Sequence, residues 1–330
     1  MISLFTDPRC LQHRIPRGFP ERPERLERLL AGLQGAGHTV QRPGEHPGVG
    51  AAVERVHGAR YVQRFRQAVE RREGLIDSAD NPLTSSTLEA AWGAVAAALH
   101  AADRLGPRAG TADPTRRCFV AVRPPGHHAE REMAMGFCYF NTIAVVAEHL
   151  RHVHGYRRLA IFDFDVHHGN GTQHLFEEDR DLFYVSTHQY PFYPGTGAAD
   201  ERGRGPGEGA TLNVPLPAGT SDAGYAEALQ GMVLPALDAF APELLLLSAG
   251  FDAWRLDPLG GMQVTAAGYR QWGEWLRALA DRRCGGRVLA LLEGGYDLDA
   301  LPELVLAFLE GLDTAPGQEA AEASMASVPR

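Results

Sequence analysis

The stretch LAIFDFDVHHGNGT, residues 159–172, is the part of the sequence that decides the fold class. It opens with a continuous apolar run, which is typical of a strand buried on both faces of a parallel sheet. It then passes into a polar loop that contains two glycines. Four other short apolar runs end in comparable loops, and they cover residues 119–122, 182–186, 244–248 and 288–292. Each of the five runs is therefore predicted to be a strand.

Segments with the helical spacing of apolar residues lie between and before these runs. They cover residues 22–33, 86–105, 144–152, 223–240 and 266–280. Strands that alternate with helices predict an α/β fold, in which helices flank a parallel sheet on both faces. No internal repeat or change of composition marks a boundary, so we expect a single domain over residues 1–313. Residues 314–330 are rich in Ala, Glu, Ser and Pro without periodicity, and predict a disordered tail.

The composition excludes several classes of protein. With 44% hydrophobic and 22% charged residues, the chain has the make-up of a globular protein and not of a disordered one. A formal charge of -9 without any basic cluster argues against nucleic acid as a partner. The four cysteines lie far apart and predict neither a disulfide framework nor a thiolate metal site. Without a long apolar span or a signal peptide, we expect a cytoplasmic protein that does not engage a membrane.

Polar side chains follow four of the predicted strands. Residues 123–128 read RPPGHH, residues 163–172 read DFDVHHGNGT, residues 248–252 read SAGFD and residues 293–296 read EGGY. In doubly wound sheets, ligands bind beyond the carboxyl ends of the strands, where such residues meet at one rim. The four strand ends therefore predict one functional site that combines histidines, carboxylates and a tyrosine.

Several of these residues have the spacing of metal ligands. Asp165 and His167 are two apart in an extended segment, so both side chains point to the same side and can hold one ion. Asp163 shares that side and can orient a neighbouring group, while Asp252 stands at an equivalent strand end and is the candidate third ligand. Two carboxylates and one imidazole leave coordination positions open, as in a catalytic zinc site. Each residue also has an ordinary alternative, because strand-end Asp residues often cap helices and buried His residues are often only hydrogen-bonded.

Two other segments give weaker signals. His149, His152 and His154 lie near the end of a predicted helix, where we favour a solvated helix end over metal binding. The glycine-rich stretch at residues 203–209 is not followed by a helix-start pattern. It is therefore interpreted as a mobile loop and not as a phosphate-binding loop.

The polar strand ends belong to a set of motifs that resembles a known family, the zinc-dependent histone deacetylases and acetylpolyamine amidohydrolases. The set is, in order, RPPGHH (123–128), GFCYFN (136–141), DFDVHHGNGTQ (163–173), YPGTG (193–197), AGFD (249–252) and EGGY (293–296). FPERPERLERLL at residues 19–30 also fits, so the resemblance covers roughly residues 1–312. Asn170 and the Thr-Gln pair after it resemble the class II branch and its bacterial relatives. The resemblance implies an arginase/deacetylase-like fold with about eight parallel strands.

The resemblance also implies a metal and an activity. The activity is the removal of acetyl or other acyl groups from an amine, by hydrolysis with a metal-activated water. Asp165, His167 and Asp252 would hold Zn²⁺, and a site so rich in carboxylate could accept Fe²⁺. The backbone of Asp163, Asp165 and His167, together with Ser186 and Thr187, resembles the potassium site of the family.

The remaining catalytic roles are carried over residue by residue. His128 would be the general base, and His127 would be its electrostatic partner, oriented by Asp163. In class I members an Asp pairs with the second histidine, and Asn170 stands there in this chain. Tyr296 would donate a hydrogen bond to the developing oxyanion.

The resemblance implies a narrow tunnel for the substrate. Phe137, next to Gly136, and Tyr193 would form its two walls around the aliphatic part of an acylated amine. Asp80 would lie at the rim and hold the substrate. Leu259 stands where acetylpolyamine specialists of one branch carry a Glu, which favours acetyl-lysine or a related acylated amine. An acetylpolyamine is the alternative substrate.

Two other functions are compared with this one. A binuclear manganese ureohydrolase shares the fold but needs an acidic ligand two residues after Asp252, where this chain has Trp254. A catalytically inactive protein that binds acylated amines usually lacks a metal ligand, the histidine pair or the tyrosine, and all are present. Arg25 matches a position linked with an internal channel for acetate release, and helix capping or ion pairing is an equal candidate for it. Whether the chain forms a homo-oligomer stays open.

Overall fold

The computed structural model describes residues 2–106 and 116–313, so the predicted tail at 314–330 lies outside the described residues. Eight strands form one sheet in the order β2-β1-β3-β8-β7-β4-β5-β6, and every neighbouring pair is parallel. The strands are β1 (Ile2–Phe5), β2 (Val40–Gln41), β3 (Arg117–Val120), β4 (Leu159–Asp163), β5 (Leu182–Gln189), β6 (Thr211–Leu216), β7 (Leu244–Ala249) and β8 (Val288–Leu292). The predicted α/β fold with one parallel sheet is confirmed.

Ten α-helices cover the sheet in the described part of the chain. They are α1 (Pro23–Gly35), α2 (Val49–Val56), α3 (Ala59–Glu70), α4 (Thr87–Arg104), α5 (Thr142–His154), α6 (Asn170–Phe176), α7 (Asp222–Ala228), α8 (Leu234–Phe240), α9 (Ala266–Arg283) and α10 (Leu301–Asp313). Helices α2, α4 and α5 pack together, with α4 and α5 in contact with the sheet, and α1, α9 and α10 form a second packed group. All residues of β4, β5, β7 and β8 are buried, because helices shield both faces of the central strands.

The prediction omitted β1, β2 and β6, and the last two of these have weak sequence signals. Strand β2 contains two residues, too few for any periodicity. Strand β6 contains Pro215, which cannot donate a ladder hydrogen bond, and β6 accordingly lies at the edge of the sheet. The predicted helix at 223–240 is interrupted by a π-helical turn at Leu229–Val233. Pro235 lies just beyond that turn and has no N–H for the regular helical hydrogen bond.

The order of the strands places the four polar strand ends side by side. Strands β3, β8, β7 and β4 are neighbours at the centre of the sheet, and all four point the same way. In the register of the sheet, Asp163 of β4 lies opposite Ser248 of β7 and Ser186 of β5. The loops that follow these strands therefore meet at one edge of the sheet. Among the helices that the structure describes, none is both long and apolar enough to cross a membrane.

Candidate active site

The three predicted metal ligands lie together at this edge. The Nδ1 atom of His167 lies 3.0 Å from Asp165 Oδ1 and 3.2 Å from Asp252 Oδ2, and all three residues are buried. The other oxygen of each carboxylate accepts a backbone N–H, from Gly294 to Asp165 Oδ2 and from Val166 to Asp252 Oδ1, both at 2.8 Å. The backbone thus turns one oxygen of each carboxylate toward the imidazole.

The surroundings of these residues suit a cation. Asp252 Oδ2 is buried and has no hydrogen-bond partner among the described residues. A buried carboxylate oxygen without a partner is costly, and an ion between the three side chains would remove that cost. A Cβ atom at Gly294 would overlap the carboxylates of Asp252 and Asp165, so the glycine keeps this space open. Two carboxylates and one imidazole are a donor set that fits a divalent transition metal.

The histidine pair lies beside this group, and each ring has its own oxygen partner. His127 Nδ1 lies 3.0 Å from Asp163 Oδ2, and His128 Nδ1 lies 2.7 Å from Asn170 Oδ1. The amide nitrogen of Asn170 donates to Glu130 Oε1 at 2.6 Å, which fixes the amide oxygen toward His128. The Nδ1–H of a neutral His128 therefore donates to Asn170, and its Nε2 is left with a free lone pair.

The two histidines differ in protonation. Burial works to lower the pKa of His127, but the negative charges of Asp163 and Asp165 outweigh it and raise the pKa to about 10. Burial lowers the pKa of His128 well below its usual value, and the charge of the neighbouring His127 adds to this effect. At neutral pH the pair therefore consists of a charged His127 and a neutral His128 that can accept a proton.

Tyr296 is held at the rim through its backbone and its ring. Its N–H donates to Asp257 Oδ2 at 2.6 Å. The guanidinium of Arg25 lies 4.6 Å from the centre of the Tyr296 ring and donates to the carbonyls of Gly295 (2.6 Å) and Glu293 (2.7 Å). Arg25 therefore anchors the EGGY loop. Its guanidinium also forms an ion pair with the buried Glu21, which lies just before helix α1.

A cavity of about 240 Å³ leads to the histidines and the tyrosine. It is lined by all five residues predicted to bind the substrate, by three residues of the catalytic rim and by one further aromatic: Gly136, Phe137, Tyr193, Leu259, Asp80, His128, His167, Tyr296 and Phe192. Phe137 and Tyr296 face each other with ring centres 6.1 Å apart. The lining is mostly apolar, which fits the aliphatic part of a substrate.

At the mouth of the cavity, the Asp80 carboxylate joins two loops by hydrogen bonds. Asp80 Oδ2 accepts the hydroxyl of Tyr193 at 3.1 Å and the N–H of Gly136 at 3.2 Å, and the hydroxyl of Ser78 donates to Oδ1. Gly136 has a φ of +57°, and a Cβ atom there would overlap the ring of His128. Only glycine allows the chain to pass so close to the histidine in this conformation.

The residues of the predicted potassium site lie on neighbouring strands. Asp163 and Ser186 are register partners, and Asp165 and His167 follow in the loop after β4. The hydroxyl of Thr187 is buried and has no hydrogen-bond partner in the part of the chain that the structure describes. A buried hydroxyl of this kind can be satisfied by an ion, and a potassium ion at these residues stays a prediction.

Sequence reasoning missed several residues of the site. Phe192 stacks on His167 with ring centres 5.3 Å apart, and its only signal was its place next to Tyr193. Asp257 carries the backbone of Tyr296, and Glu293 Oε2 accepts the N–H of Gly126 at 2.6 Å. Glu293 opens the EGGY motif without a predicted role, and Asp257 belongs to none of the quoted motifs, because the partners of both carboxylates are backbone groups distant in the sequence.

The structure also shows the hydrogen-bond partner of Trp254, which stands two residues after Asp252. The indole of Trp254 donates to Asp297 Oδ2 at 3.1 Å, so the position of a second metal ligand holds a donor and not an acceptor.

The expected solvated helix end is wrong for His149, which is buried, and for His154, which is largely enclosed. His152 alone of the three histidines of helix α5 is exposed.

Comparison with known proteins adds a family to this geometry. The family model described as "Histone deacetylase domain" matches residues 19–312. The chain is 47% identical over 187 residues to histone deacetylase 14, chloroplastic, of Arabidopsis thaliana, which covers 57% of this chain and 44% of that protein. The chain thus spans less than half the length of that relative.

Two further comparisons cover more of both chains. A histone deacetylase-like amidohydrolase of Pseudomonas aeruginosa is 39% identical over 299 residues, which is 89% of this chain and 77% of the relative. The crystal structure of an acetylpolyamine aminohydrolase from Burkholderia pseudomallei superposes with a TM-score of 0.82 at 32% identity, and the match covers 94% of this chain and 98% of that one.

Proposed function

This chain belongs to the histone deacetylase family, and on that ground we propose that it is a zinc-dependent amidohydrolase that removes acetyl or other acyl groups from acylated amines. The observation that carries the proposal is the meeting of Asp165, His167 and Asp252 beside an apolar cavity that His167 lines. His128 and Tyr296 border the same cavity, with His127 packed against His128, which is the combination that amide hydrolysis requires. We assign the activity to residues 1–313.

Asp165, His167 and Asp252 are the residues that would hold the metal. When bound, Zn²⁺ would polarise the amide carbonyl and favour ionisation of water near neutral pH. Because two of these three ligands are carboxylates, the same residues are suited to Fe²⁺ as well. The buried Asp252 Oδ2, which lacks a hydrogen-bond partner among the described residues, supports this assignment. The backbone of Asp163 and the residues around it would hold a structural potassium ion, with Ser186 and Thr187 as its other partners.

His128 is the proposed general base and later the general acid. Its neutral ring, held by Asn170, can take the proton of the attacking water at Nε2. The protonated ring can then return this proton to the leaving amine, which is too basic to depart as an anion. His127 stays charged because of Asp163 and adds positive potential next to the forming oxyanion.

Tyr296 is the proposed donor to the oxyanion. Burial raises the pKa of the Tyr296 hydroxyl well above its usual value, so the group keeps its proton and can donate it in a hydrogen bond. A preplaced donor of this kind contributes about 3 kcal/mol of transition-state stabilisation in other hydrolases. The anchoring by Asp257 and Arg25 fixes the loop, so no ordering is needed during the reaction.

The lining of the cavity supports acetyl-lysine or a similar acylated amine as the substrate. Phe137 and Tyr193 offer apolar faces to an alkyl chain, and Leu259 offers no charge to a polyamine. The second candidate is an acetylpolyamine, which is favoured by the likeness to the Burkholderia pseudomallei aminohydrolase over 94% of this chain. An inactive binding protein is disfavoured by the presence of every catalytic residue, and a manganese ureohydrolase by Trp254.

A paired assay tests this function. Purified protein reconstituted with Zn²⁺ is given an acetyl-lysine peptide in one arm and acetylputrescine or acetylspermidine in the other. We expect turnover of the peptide with a higher kcat/KM than that of either polyamine, and its loss in Tyr296→Phe. A reversed preference would move the assignment to acetylpolyamines. No turnover of these substrates or of longer acyl-lysine peptides by metal-loaded protein would overturn the proposed activity.

A further inference from the structure

A second group of metal-ligating side chains lies at the far end of helix α5, away from the rim of the sheet. We call it the histidine cluster, and its members are His46, Asp103, His149 and His154. They come from the connection between β2 and α2, from the end of α4 and from the second half of α5. We propose that the histidine cluster is a second metal site, which binds Zn²⁺ or a similar divalent ion that prefers imidazole.

The geometry centres on one carboxylate. Asp103 Oδ1 lies 2.7 Å from His149 Nε2 and 2.8 Å from His154 Nε2, while Oδ2 lies 2.9 Å from His46 Nε2. The ligand atoms of His46, Asp103 and His149 all lie within 4.8 Å of one another. Burial works to raise the pKa of Asp103, but hydrogen bonds from the three imidazoles lower it overall, so the carboxylate is an anion at neutral pH.

The imidazoles are enclosed and the carboxylate is open to solvent. The side chains of His149, His46 and His154 are 4%, 8% and 10% exposed, whereas that of Asp103 is 41% exposed. A Cβ atom at Gly106 would overlap the ring of His154, so the glycine makes room for it. The rings are therefore held in place by packing, and an ion could enter from the side of the carboxylate.

The donor set favours a structural ion. His46, Asp103 and His149 provide three ligand atoms, and His154, whose Nε2 lies 2.8 Å from Asp103 Oδ1, is the candidate fourth ligand of the tetrahedral coordination that Zn²⁺ adopts in structural sites. The nitrogen–oxygen contacts of 2.7–2.9 Å resemble those of the proposed catalytic ligands, where His167 Nδ1 lies 3.0 and 3.2 Å from two carboxylate oxygens. The ligand atoms of His46, Asp103 and His149 thus lie as close together, within 4.8 Å, as those of Asp165, His167 and Asp252.

His46 gives the site a distinctive reporter. Its Nδ1 accepts the N–H of Gly48 at 3.0 Å, so without an ion its Nε2 carries the proton that faces Asp103. An ion at Nε2 requires that the proton reside on Nδ1, and the contact with Gly48 N–H is then lost. Metal binding is therefore expected to shift the amide resonance of Gly48.

Counting bound ions is the first test. Tag-free protein is stripped with a chelator and titrated with Zn²⁺ against a chromophoric competitor. We expect two equivalents in the wild type and one in Asp252→Asn, which removes a proposed catalytic ligand. In the Asp252→Asn background, His46→Gln and His154→Gln should each remove the remaining equivalent. His152→Gln, which changes the exposed histidine of the same helix, should leave it. A single equivalent in the wild type, or one that survives both cluster variants, overturns the proposal.

A spectroscopic test does not depend on the folding of a cluster variant. Asp252→Asn is loaded with one equivalent of Co²⁺, and its visible absorption and the amide resonance of Gly48 are recorded. A tetrahedral histidine-rich site predicts strong absorption together with a shifted Gly48 signal. Weak absorption of the octahedral type with an unmoved Gly48 signal would overturn the proposal.

Discussion

Helix α5 has a histidine-and-carboxylate group at each of its ends, and the two groups differ in almost every other respect. At its start, Asn141 caps the helix and donates to the carbonyl of Ala129 at 3.2 Å, in the loop that also carries the proposed catalytic histidines. At its end, His149 and His154 enter the histidine cluster. The proposed catalytic group has two carboxylates and one imidazole, and it opens into a cavity. The histidine cluster instead has three imidazoles and one carboxylate.

The difference follows from where each group sits in the fold. Loops beyond parallel strands present carboxylates and backbone N–H groups to one enclosed space, and this leaves coordination positions for a reactant. In the histidine cluster, imidazoles from helix α5 and from the loop before α2 instead surround one carboxylate, that of Asp103. A metal site in the loops beyond parallel strands is suited to catalysis. A metal site at the ends of helices is suited to stabilising the packing of those helices.

The largest expected effect separates the two groups by activity. Asp252→Asn removes one proposed metal ligand, and we expect kcat/KM to fall by about 10³-fold or more. His46→Gln removes one ligand of the histidine cluster, and we expect activity to stay within about twofold, because the cluster does not touch the cavity. Steady-state kinetics on Zn²⁺-loaded proteins measure both. Equal losses in the two variants would show that the groups are not independent.

Tyr296→Phe is expected to have the next largest effect. Loss of one oxyanion donor lowers kcat by about 10²–10³-fold in other hydrolases, and zinc content should not change. Tyr269→Phe is a matched control, because the hydroxyl of Tyr269 is buried and has no hydrogen-bond partner among the described residues. Activity near that of the wild type in Tyr296→Phe, measured alongside the control, would remove the tyrosine from the mechanism.

A buried histidine without a carboxylate partner should make stability depend on pH. His57 Nε2 accepts the N–H of Asn141 at 2.8 Å, and burial lowers the pKa of His57 to about 4. Its pKa in the unfolded chain is about 6.5. The stability that it contributes is therefore present above pH 6.5 and falls as the pH drops toward 4, by up to about 1.4 kcal/mol per unit.

Urea unfolding at pH 7 and pH 5 measures this dependence. The free energy of unfolding should fall more in the wild type than in His57→Gln, by about 1–2 kcal/mol over this interval. His152→Gln, which changes an exposed histidine, should behave like the wild type. An equal pH dependence in His57→Gln and the wild type would mean that His57 is not neutral in the folded protein.

The contrast between the two groups also explains what could be predicted from the sequence. Asp165 and His167 are two apart, and the other rim residues lie in the loops that follow apolar strands, so their meeting at one edge was predictable from the sequence. Strand β8 is confirmed over its full predicted range, 288–292, because a run of buried aliphatic residues bounded by glycines has few alternatives.

The histidine cluster was not predictable in this way. His46 and Asp103 lie 57 residues apart and have no common motif, and their contact arises only from the packing of tertiary elements. The position of His149 and His154 near the end of a helix predicts exposure, because Asp103, the partner that they contact, is distant in the sequence. The same reason hid Phe192 and Asp257, which are recognisable only by their contacts.

The smallest expected effect lies at the mouth of the cavity. Tyr193→Phe removes the hydroxyl that donates to Asp80 Oδ2 and leaves the apolar wall in place. Asp80 then keeps only the N–H of Gly136 on that oxygen, so its carboxylate is less well fixed for a substrate. One hydrogen bond at a partly exposed position is worth about 0.5–1 kcal/mol, which corresponds to a rise in KM of roughly 2–5-fold with kcat nearly unchanged. Tyr190→Phe, a change outside the cavity lining, is the control. A fall in kcat at constant KM would instead place Tyr193 in the chemical step. The mouth of the cavity would then take part in catalysis and not only in substrate binding.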